Sequence, residues 1–218
     1  GRLECRRSDF YQRLAWHRPN HKLNDNGEMK YCPKCGSAVT LQTPVDDTRE
    51  RHVCSGCKTI HYENPRNVVG TIPVWQDKVL LCKRAIHPRL GYWTLPAGFL
   101  EVGESTEAGA KRETQEEAGA IVEIGPLFSL LNVTHVEQVH LFYLAKLIEP
   151  KYQAGVESLE VQLFSEEDIP WNDLAFPTVR KTLEWYFQDK KLGRLNEADK
   201  IPTHLDDVGY DERIDRKH

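Results

Sequence analysis

Gly98–Ala120 reads G-F-L-E-V-G-E-S-T-E-A-G-A-K-R-E-T-Q-E-E-A-G-A, and its two halves ask for different structures. Gly98 to Gly103 is a glycine-bounded turn. From about Thr106 a run of helix formers follows, and Gly119 is a natural left-handed stop. In a helix turning 100° per residue, Glu113, Glu116 and Glu117 fall within an arc of roughly 100°. Like charges three and four positions apart repel, and a hard divalent cation that takes oxygen ligands relieves that repulsion. The stretch therefore reads as a loop-helix unit carrying a metal site. The alternative is a solvated acidic helix face.

Gly98, Glu104, Arg112, Glu113, Glu116, Glu117 and Gly119 stand at the spacing G-x5-E-x7-R-E-U-x-E-E-x-G-U, which resembles the Nudix box of the Nudix hydrolases. Thr114 and Ala120 hold the two U positions, where the family prefers a bulkier aliphatic residue. Gly91–Ala97, G-Y-W-T-L-P-A, leads into the box as the corresponding stretch does in that family. The resemblance implies an α/β/α sandwich built on a mixed sheet. It implies Glu113, Glu116 and Glu117 as Mg²⁺ or Mn²⁺ ligands, Glu113 being a further ligand or the base. A main-chain oxygen near Gly98 would join the coordination. Arg112 and Glu104 would orient the carboxylates. An extra carboxylate from a later segment is expected from Glu160 first and Glu157 second, ordinary surface charge being the alternative. Arg84, at the end of a hairpin strand, is expected to meet a phosphate or to form a surface ion pair.

Upstream, Cys32-Pro33-Lys34-Cys35 and Cys54-Ser55-Gly56-Cys57 are two C-x-x-C knuckles separated by eighteen residues. The spacing suits a tetrahedral, structural Zn²⁺ in a zinc ribbon over residues 29–63. Disulfides or a redox C-x-x-C are the competing readings. Thiolate ligands call for a reducing compartment, hence a cytoplasmic setting. Cys82 lies in an apolar run and reads as core.

The remaining sequence frames these motifs. Val68–Trp75 and Lys78–Arg84 read as a hairpin around Gln76-Asp77, and Ile121–Asn132, Val136–Ile148 and Leu159–Phe164 as further strands. Pro177 can start a closing helix whose stripe is Val179, Leu183, Tyr186 and Phe187. The Nudix-like domain then spans residues 64–193, and residues 194–218 read as a polar mobile tail. Residues 1–28 are charge-dense and peripheral. The sole methionine, Met29, suggests a natural start there.

A hydrophobic share of 39% supports a packed core despite a mean hydropathy of -0.58, and no apolar run approaches a membrane span of about 18 residues. A formal charge of -4 argues against broad nonspecific attraction to nucleic acid.

From Lys30 to about Leu192 the arrangement resembles the bacterial relatives of the plant chloroplast FAD pyrophosphatase, including Tyr62-Glu63-Asn64-Pro65, Leu80–Arg84, Glu157–Glu160 and Leu174-Ala175-Phe176. That resemblance implies FAD as substrate, ahead of ADP-ribose and NADH, and a homodimer. The S-Q-P-W-P-F-P-x-S element of zinc-ribbon NADH hydrolases is replaced here by Pro126–Asn132, which disfavours NADH. Trp93, Phe99, Tyr143 and Phe176 could stack on adenine or flavin, core packing being the alternative. An RNA-decapping enzyme and a zinc-ribbon binding protein with a Nudix ligand sensor are the rival classes.

Overall fold

The computed structural model describes residues 29–195 and 203–209. The expectations for residues 1–28 and for the end of the tail beyond 209 lie outside the described residues. The chain divides between Asn64 and Pro65 into two compact units.

The first unit carries a three-stranded antiparallel sheet of β1 (Val39–Gln42), β2 (Arg51–Cys54) and β3 (Ile60–His61) in that order. These strands are too short to bury much. Among the described residues of this unit, the buried apolar side chains are Met29, Cys32 and Cys54.

The second unit is organised on a mixed sheet. Its strands are β4 (Arg66–Trp75), β5 (Lys78–Arg84), β6 (Trp93–Thr94), β7 (Ala97–Phe99), β8 (Val122–Val133), β9 (Gln138–Leu147), β10 (Ser158–Phe164) and β11 (His204–Asp207). The path across the sheet is β10-β5-β4-β9-β8-β11, with β6 on β5 and β7 on β4. β4 and β9 run parallel, as do β8 and β11, while the other pairs are antiparallel. Among the described residues two α-helices cover it, α1 (Thr106–Ala118) and α2 (Pro177–Lys191).

Strand side chains alternate between faces, and the alternation divides the core. Ile72, Leu81, Phe128 and Phe142 pack with Val179, Leu183, Tyr186 and Phe187 of α2. From the same strands Leu80, Cys82, Ala145 and Leu147 pack with Ala118 and Ala120, and Val69 and Tyr143 with Ala110. The result is the α/β/α sandwich that the box implies.

α1 faces the sheet with small residues, Gly109, Ala110, Thr114 and Ala118. Small contacts let the helix lie close to the strands, so its long carboxylates reach the site at its edge. Thr114 is fully buried, and its Oγ1 donates to Ala110 O (2.7 Å) and so accepts from Thr71 Oγ1 (2.6 Å). A hydroxyl pair thus replaces the bulky aliphatic contact usual at this box position, satisfying both buried groups. Ser105 caps the helix by accepting the Ala108 N–H. At the other end Gly119 takes φ 59° and its N–H bonds Gln115 O. Gln153 N and Gly155 N donate to the orphan carbonyls of Ala118 and Glu117 (2.8 and 3.0 Å).

The segment read as a mobile tail contains β11, a correction for residues 203–209. Its Leu205 faces solvent while the imidazole of His204 stacks on Trp185 at 4.8 Å and meets Asp189 through Nε2 at 2.7 Å. Asp189 is almost completely buried on α2 and also receives Arg194 Nη1 at 3.2 Å. The strand is held by polar groups turned inward, so an apolar alternation is absent from its sequence.

A second histidine yields a pH prediction. His140 on β9 lies with Nδ1 3.1 Å from Thr178 Oγ1 and Nε2 2.9 Å from Gln138 Oε1. Burial lowers its pKa from 6.5 to about 4. Between those values only the unfolded chain takes up the proton, so this residue removes stability as pH falls through that window and is silent above it. His140→Gln should flatten the acid limb of a urea-unfolding stability curve. Parallel wild-type and variant curves between pH 6.5 and 4 would refute this.

Candidate active site

The box residues converge where α1, the β7 strand and the end of β5 meet. Gly98 pairs with Val69 in the β4–β7 ladder, which fixes the β7 backbone beside α1. A Cβ on Gly98 would fall 2.4 Å from the carboxyl carbon and Oε2 of Glu113. Only glycine leaves room for that carboxylate. Gly98→Ala should therefore displace Glu113 or the β7 backbone and lower turnover on the order of a hundredfold while circular dichroism is retained. Unchanged turnover would show that Glu113 need not occupy this position.

Arg112 organises the carboxylates. Its Nε and Nη2 bond Glu104 at 3.2 and 2.7 Å, Nη1 bonds Glu113 at 2.6 Å and Glu116 at 3.0 Å, and Nη2 also donates to Phe99 O at 3.2 Å. Glu104 Oε1 accepts the Glu101 N–H at 2.7 Å, tying the turn to the helix. The Arg112 guanidinium holds the Glu104 carboxyl below its ordinary pKa. Glu113 and Glu117, one helical turn apart, are buried, whereas the side chain of Glu116 is 59% exposed at the rim.

Glu117 Oε2 accepts the Ala97 N–H at 3.0 Å. Its carboxyl is pushed up to about 8, by burial first and then by the negative charges of Glu113 and Glu157, against the pull of the Ala97 N–H and Arg84. Burial also raises Glu113, with Arg112 opposing. Two buried carboxylates flanked by a third, short of compensating charge, are a donor set that fits a hard divalent cation.

Glu157 and Glu160 exchange the places expected of them. β10 pairs Ser158 with Arg84 and Glu160 with Lys83, with a register irregularity between Ser158 and Glu160. Glu160 consequently forms an exposed ion pair with Lys83 Nζ at 2.9 Å. Glu157 lies just before the strand, its carbonyl accepting the Ala85 N–H at 2.8 Å, and its charge acts on Glu113, Glu117 and Arg84. Of the two, Glu157 is the one whose charge reaches the box, while Glu160 is engaged with Lys83.

Arg84 is not a surface ion pair. Its guanidinium lies over the Phe176 ring at 5.0 Å, and Nε donates to Pro88 O at 2.9 Å. Burial lowers its pKa, and Glu117 and Glu157 raise it. Of the four aromatics considered for stacking, Trp93 is core, edge-on to Phe164 at 4.9 Å. Tyr143 is also core, its hydroxyl 2.6 Å from Thr106 Oγ1. Phe176 supports Arg84. Phe99 is 36% exposed at the rim, with the Arg66 guanidinium 5.1 Å from its ring centroid.

The ribbon cysteines form a second centre in their own unit. The four sulfurs of Cys32, Cys35, Cys54 and Cys57 lie within 4.8 Å of one another, and the Cys35–Cys54 and Cys32–Cys57 pairs are 3.3 and 3.7 Å apart. A tetrahedral ion with Zn–S bonds of about 2.3 Å needs sulfurs roughly 3.8 Å apart, so the set fits zinc and not a disulfide. Cys82 is buried, and burial pushes its thiol pKa up, as for a core residue.

The Nudix N-terminal zinc-ribbon family matches residues 30–63, and the NUDIX domain family matches residues 64–186. A NUDIX hydrolase of Nitrosomonas europaea has a crystal structure with a TM-score of 0.78 and 46% identity, covering 84% of this chain and 100% of that one. An ADP-ribose pyrophosphatase of Methanocaldococcus jannaschii is 31% identical over 121 residues, 53% of this chain and 69% of that protein. The NAD-capped RNA hydrolase NudC of Vibrio atlanticus is 33% identical over 91 residues, 42% of this chain; the match spans only 32% of NudC. With its complete box, its sandwich fold and a zinc ribbon ahead of it, the chain belongs to the Nudix hydrolases.

Proposed function

We propose that the chain hydrolyses the diphosphate of a nucleoside diphosphate linked to a second moiety, with FAD, split to FMN and AMP, as the leading substrate. The carrying observation is the set of Glu113, Glu116 and Glu117 beside Gly98, Arg112 holding Glu113 and Glu116, the Ala97 N–H holding Glu117, and the charge of Arg84 acting on Glu117. Mg²⁺ or Mn²⁺ held by Glu113, Glu116, Glu117 and the Gly98 main-chain oxygen would supply positive charge against the diphosphate. Arg112, anchored on Glu104, keeps the carboxylates oriented. Glu113 serves as ligand or as the base that takes a proton from the attacking water. Glu157 adds the further carboxylate, and Arg84 meets a phosphoryl oxygen. Phe99 offers the exposed ring for a base or flavin.

The wider class draws support from relatives named for ADP-ribose and for NAD-capped RNA, both adenosine diphosphate conjugates. FAD rests on the resemblance across Lys30–Leu192. A homodimer rests on that resemblance, and a cytoplasmic setting on the reduced cysteines. No helix among the described residues is long and apolar enough to cross a membrane.

The test is AMP release from FAD, ADP-ribose, NADH, CoA and NAD-capped RNA, each with Mg²⁺ and with Mn²⁺. FAD should give the highest kcat/KM. A higher value for another member replaces FAD and keeps the class, while no release from any member removes the hydrolase reading. The NAD-capped RNA arm has a specific reason, the NudC relatives.

A further inference from the structure

The segment between β9 and β10, residues 148–157, lies against the last turn of α1, the turn that carries Glu116 and Glu117. Gln153 N donates to Ala118 O at 2.8 Å and Gly155 N to Glu117 O at 3.0 Å. The two backbones nearly touch. A Cβ on Gly155 would overlap Glu116 O, and it would stand 2.9 Å from the Glu116 carbonyl carbon and 3.3 Å from Glu117 Cα. Gly155 does not take a positive φ, so its backbone conformation is open to other residues and the close approach alone demands glycine.

The same backbone runs directly to Glu157. Ser158 N donates to Gly155 O at 3.1 Å, closing a turn over Val156 and Glu157. Ala85 N donates to Glu157 O at 2.8 Å, and Ser158 pairs with Arg84 in the β5–β10 ladder. Glu157 is thus held from two sides, by α1 through Gly155 and by the end of β5. Its charge acts on Glu113, Glu117 and Arg84. A methyl group at position 155 has to move one partner. α1 is fixed on the sheet by Ala110, Thr114 and Ala118, all fully buried, whereas Lys151, Tyr152, Gln153 and Val156 are exposed. The loop therefore yields, and Glu157, two residues on, moves with it.

We propose that Gly155 is a positioning residue for metal binding: its bare Cα seats the β9–β10 loop on α1 and so sets the place of the Glu157 carboxylate relative to Glu113, Glu116 and Glu117. This rests on the metal reading of the box. Groups that hold ligands in place matter to a metal site nearly as much as the ligands themselves.

The test is a double-mutant cycle of Gly155→Ala and Glu157→Gln on the full, zinc-loaded chain, with Mn²⁺ affinity read from the free-ion electron paramagnetic resonance signal. Each single variant should weaken Mn²⁺ binding roughly ten- to hundredfold. The double variant should match Glu157→Gln within about twofold, because Gly155 acts through the carboxylate that glutamine lacks. Unchanged Mn²⁺ affinity in Gly155→Ala overturns the inference, as does the same loss with and without Glu157→Gln, or a Glu157→Gln variant that binds Mn²⁺ as the wild type does. If the wild type binds Mn²⁺ but cleaves no substrate, the hydrolase reading fails and the cycle still decides Gly155. If it binds no Mn²⁺, the metal reading falls and Gly155 loses this role. Should Gly155→Ala melt too low to measure, Gln153→Pro takes its place by removing the N–H given to Ala118 O. Weaker Mn²⁺ binding that vanishes in the Glu157→Gln background then supports the inference, and unchanged binding or a loss that persists there overturns it.

Discussion

Glu117→Gln is expected to melt at a higher temperature than the wild type in metal-free buffer and to lose turnover by about a thousandfold or more. Both effects have one cause. Glu117 is only 7% exposed and lies near the charges of Glu113 and Glu157. Burying a carboxylate there opposes folding, whereas a neutral amide of the same shape avoids the penalty and its oxygen can still accept the Ala97 N–H now bonded at 3.0 Å. Each kcal/mol recovered is worth roughly 2–4 °C for a protein of this size. The same carboxylate is a proposed metal ligand, and a bound cation supplies several kcal/mol of transition-state stabilisation, of which about 4 kcal/mol corresponds to a thousandfold rate change. A thermal-shift titration with Mg²⁺ separates the two effects. The wild type should gain stability with added ion by mass action while the variant gains little, so the two melting curves converge or cross. If the variant melts lower than the wild type without metal, or keeps a full Mg²⁺ shift, the role assigned to Glu117 is wrong.

The opposition between stability and activity at Glu117 also explains what was legible in the sequence. The box could be read because its residues stand at a fixed spacing and three carboxylates share one helical face, and they break the ordinary rule for a helix that packs on a sheet: Glu113 and Glu117 are buried while the sheet contacts are glycine, alanine and threonine. That conflict between local pattern and global need marks a functional site. The long strands and α2 followed from apolar periodicity and from Pro177. Glu157 and Glu160 both stand at the start of β10 and look alike in the sequence, and only the strand register, irregular between Ser158 and Glu160, shows Glu160 opposite Lys83. β11 was invisible because His204 and Asp206 turn inward to Asp189 and Lys181 while Leu205 turns out, the reverse of an amphipathic strand. The pairing of Thr71 with Thr114 likewise arises from two distant positions, and only their packing shows why a hydroxyl stands where the family places an aliphatic residue.

Removal of zinc should unfold the ribbon unit and leave the Nudix unit folded. The apolar side chains buried among the described residues of the first unit are Met29, Cys32 and Cys54, two of which are proposed ligands. Strands of four, four and two residues add few hydrogen bonds. Such a segment lacks the apolar area to offset its conformational entropy, and a structural Zn²⁺ contributes an apparent ~10–16 kcal/mol at neutral pH in comparable small sites. The second unit has a continuous core from Ile72 to Phe187 and needs no such staple. Strong chelation, or Cys54→Ser, should therefore release one equivalent of zinc and expose residues 36–53 to limited proteolysis, while hydrogen-exchange protection on β4, β5, β8 and β9 persists. Cys54 is the most informative position, because it is fully buried and its Sγ also accepts the Cys57 N–H at 3.4 Å, so its loss removes a ligand and a turn contact together. Ribbon amides that stay protected after the metal is gone would mean that the cysteines are held together by the backbone alone, and zinc would lose its structural role.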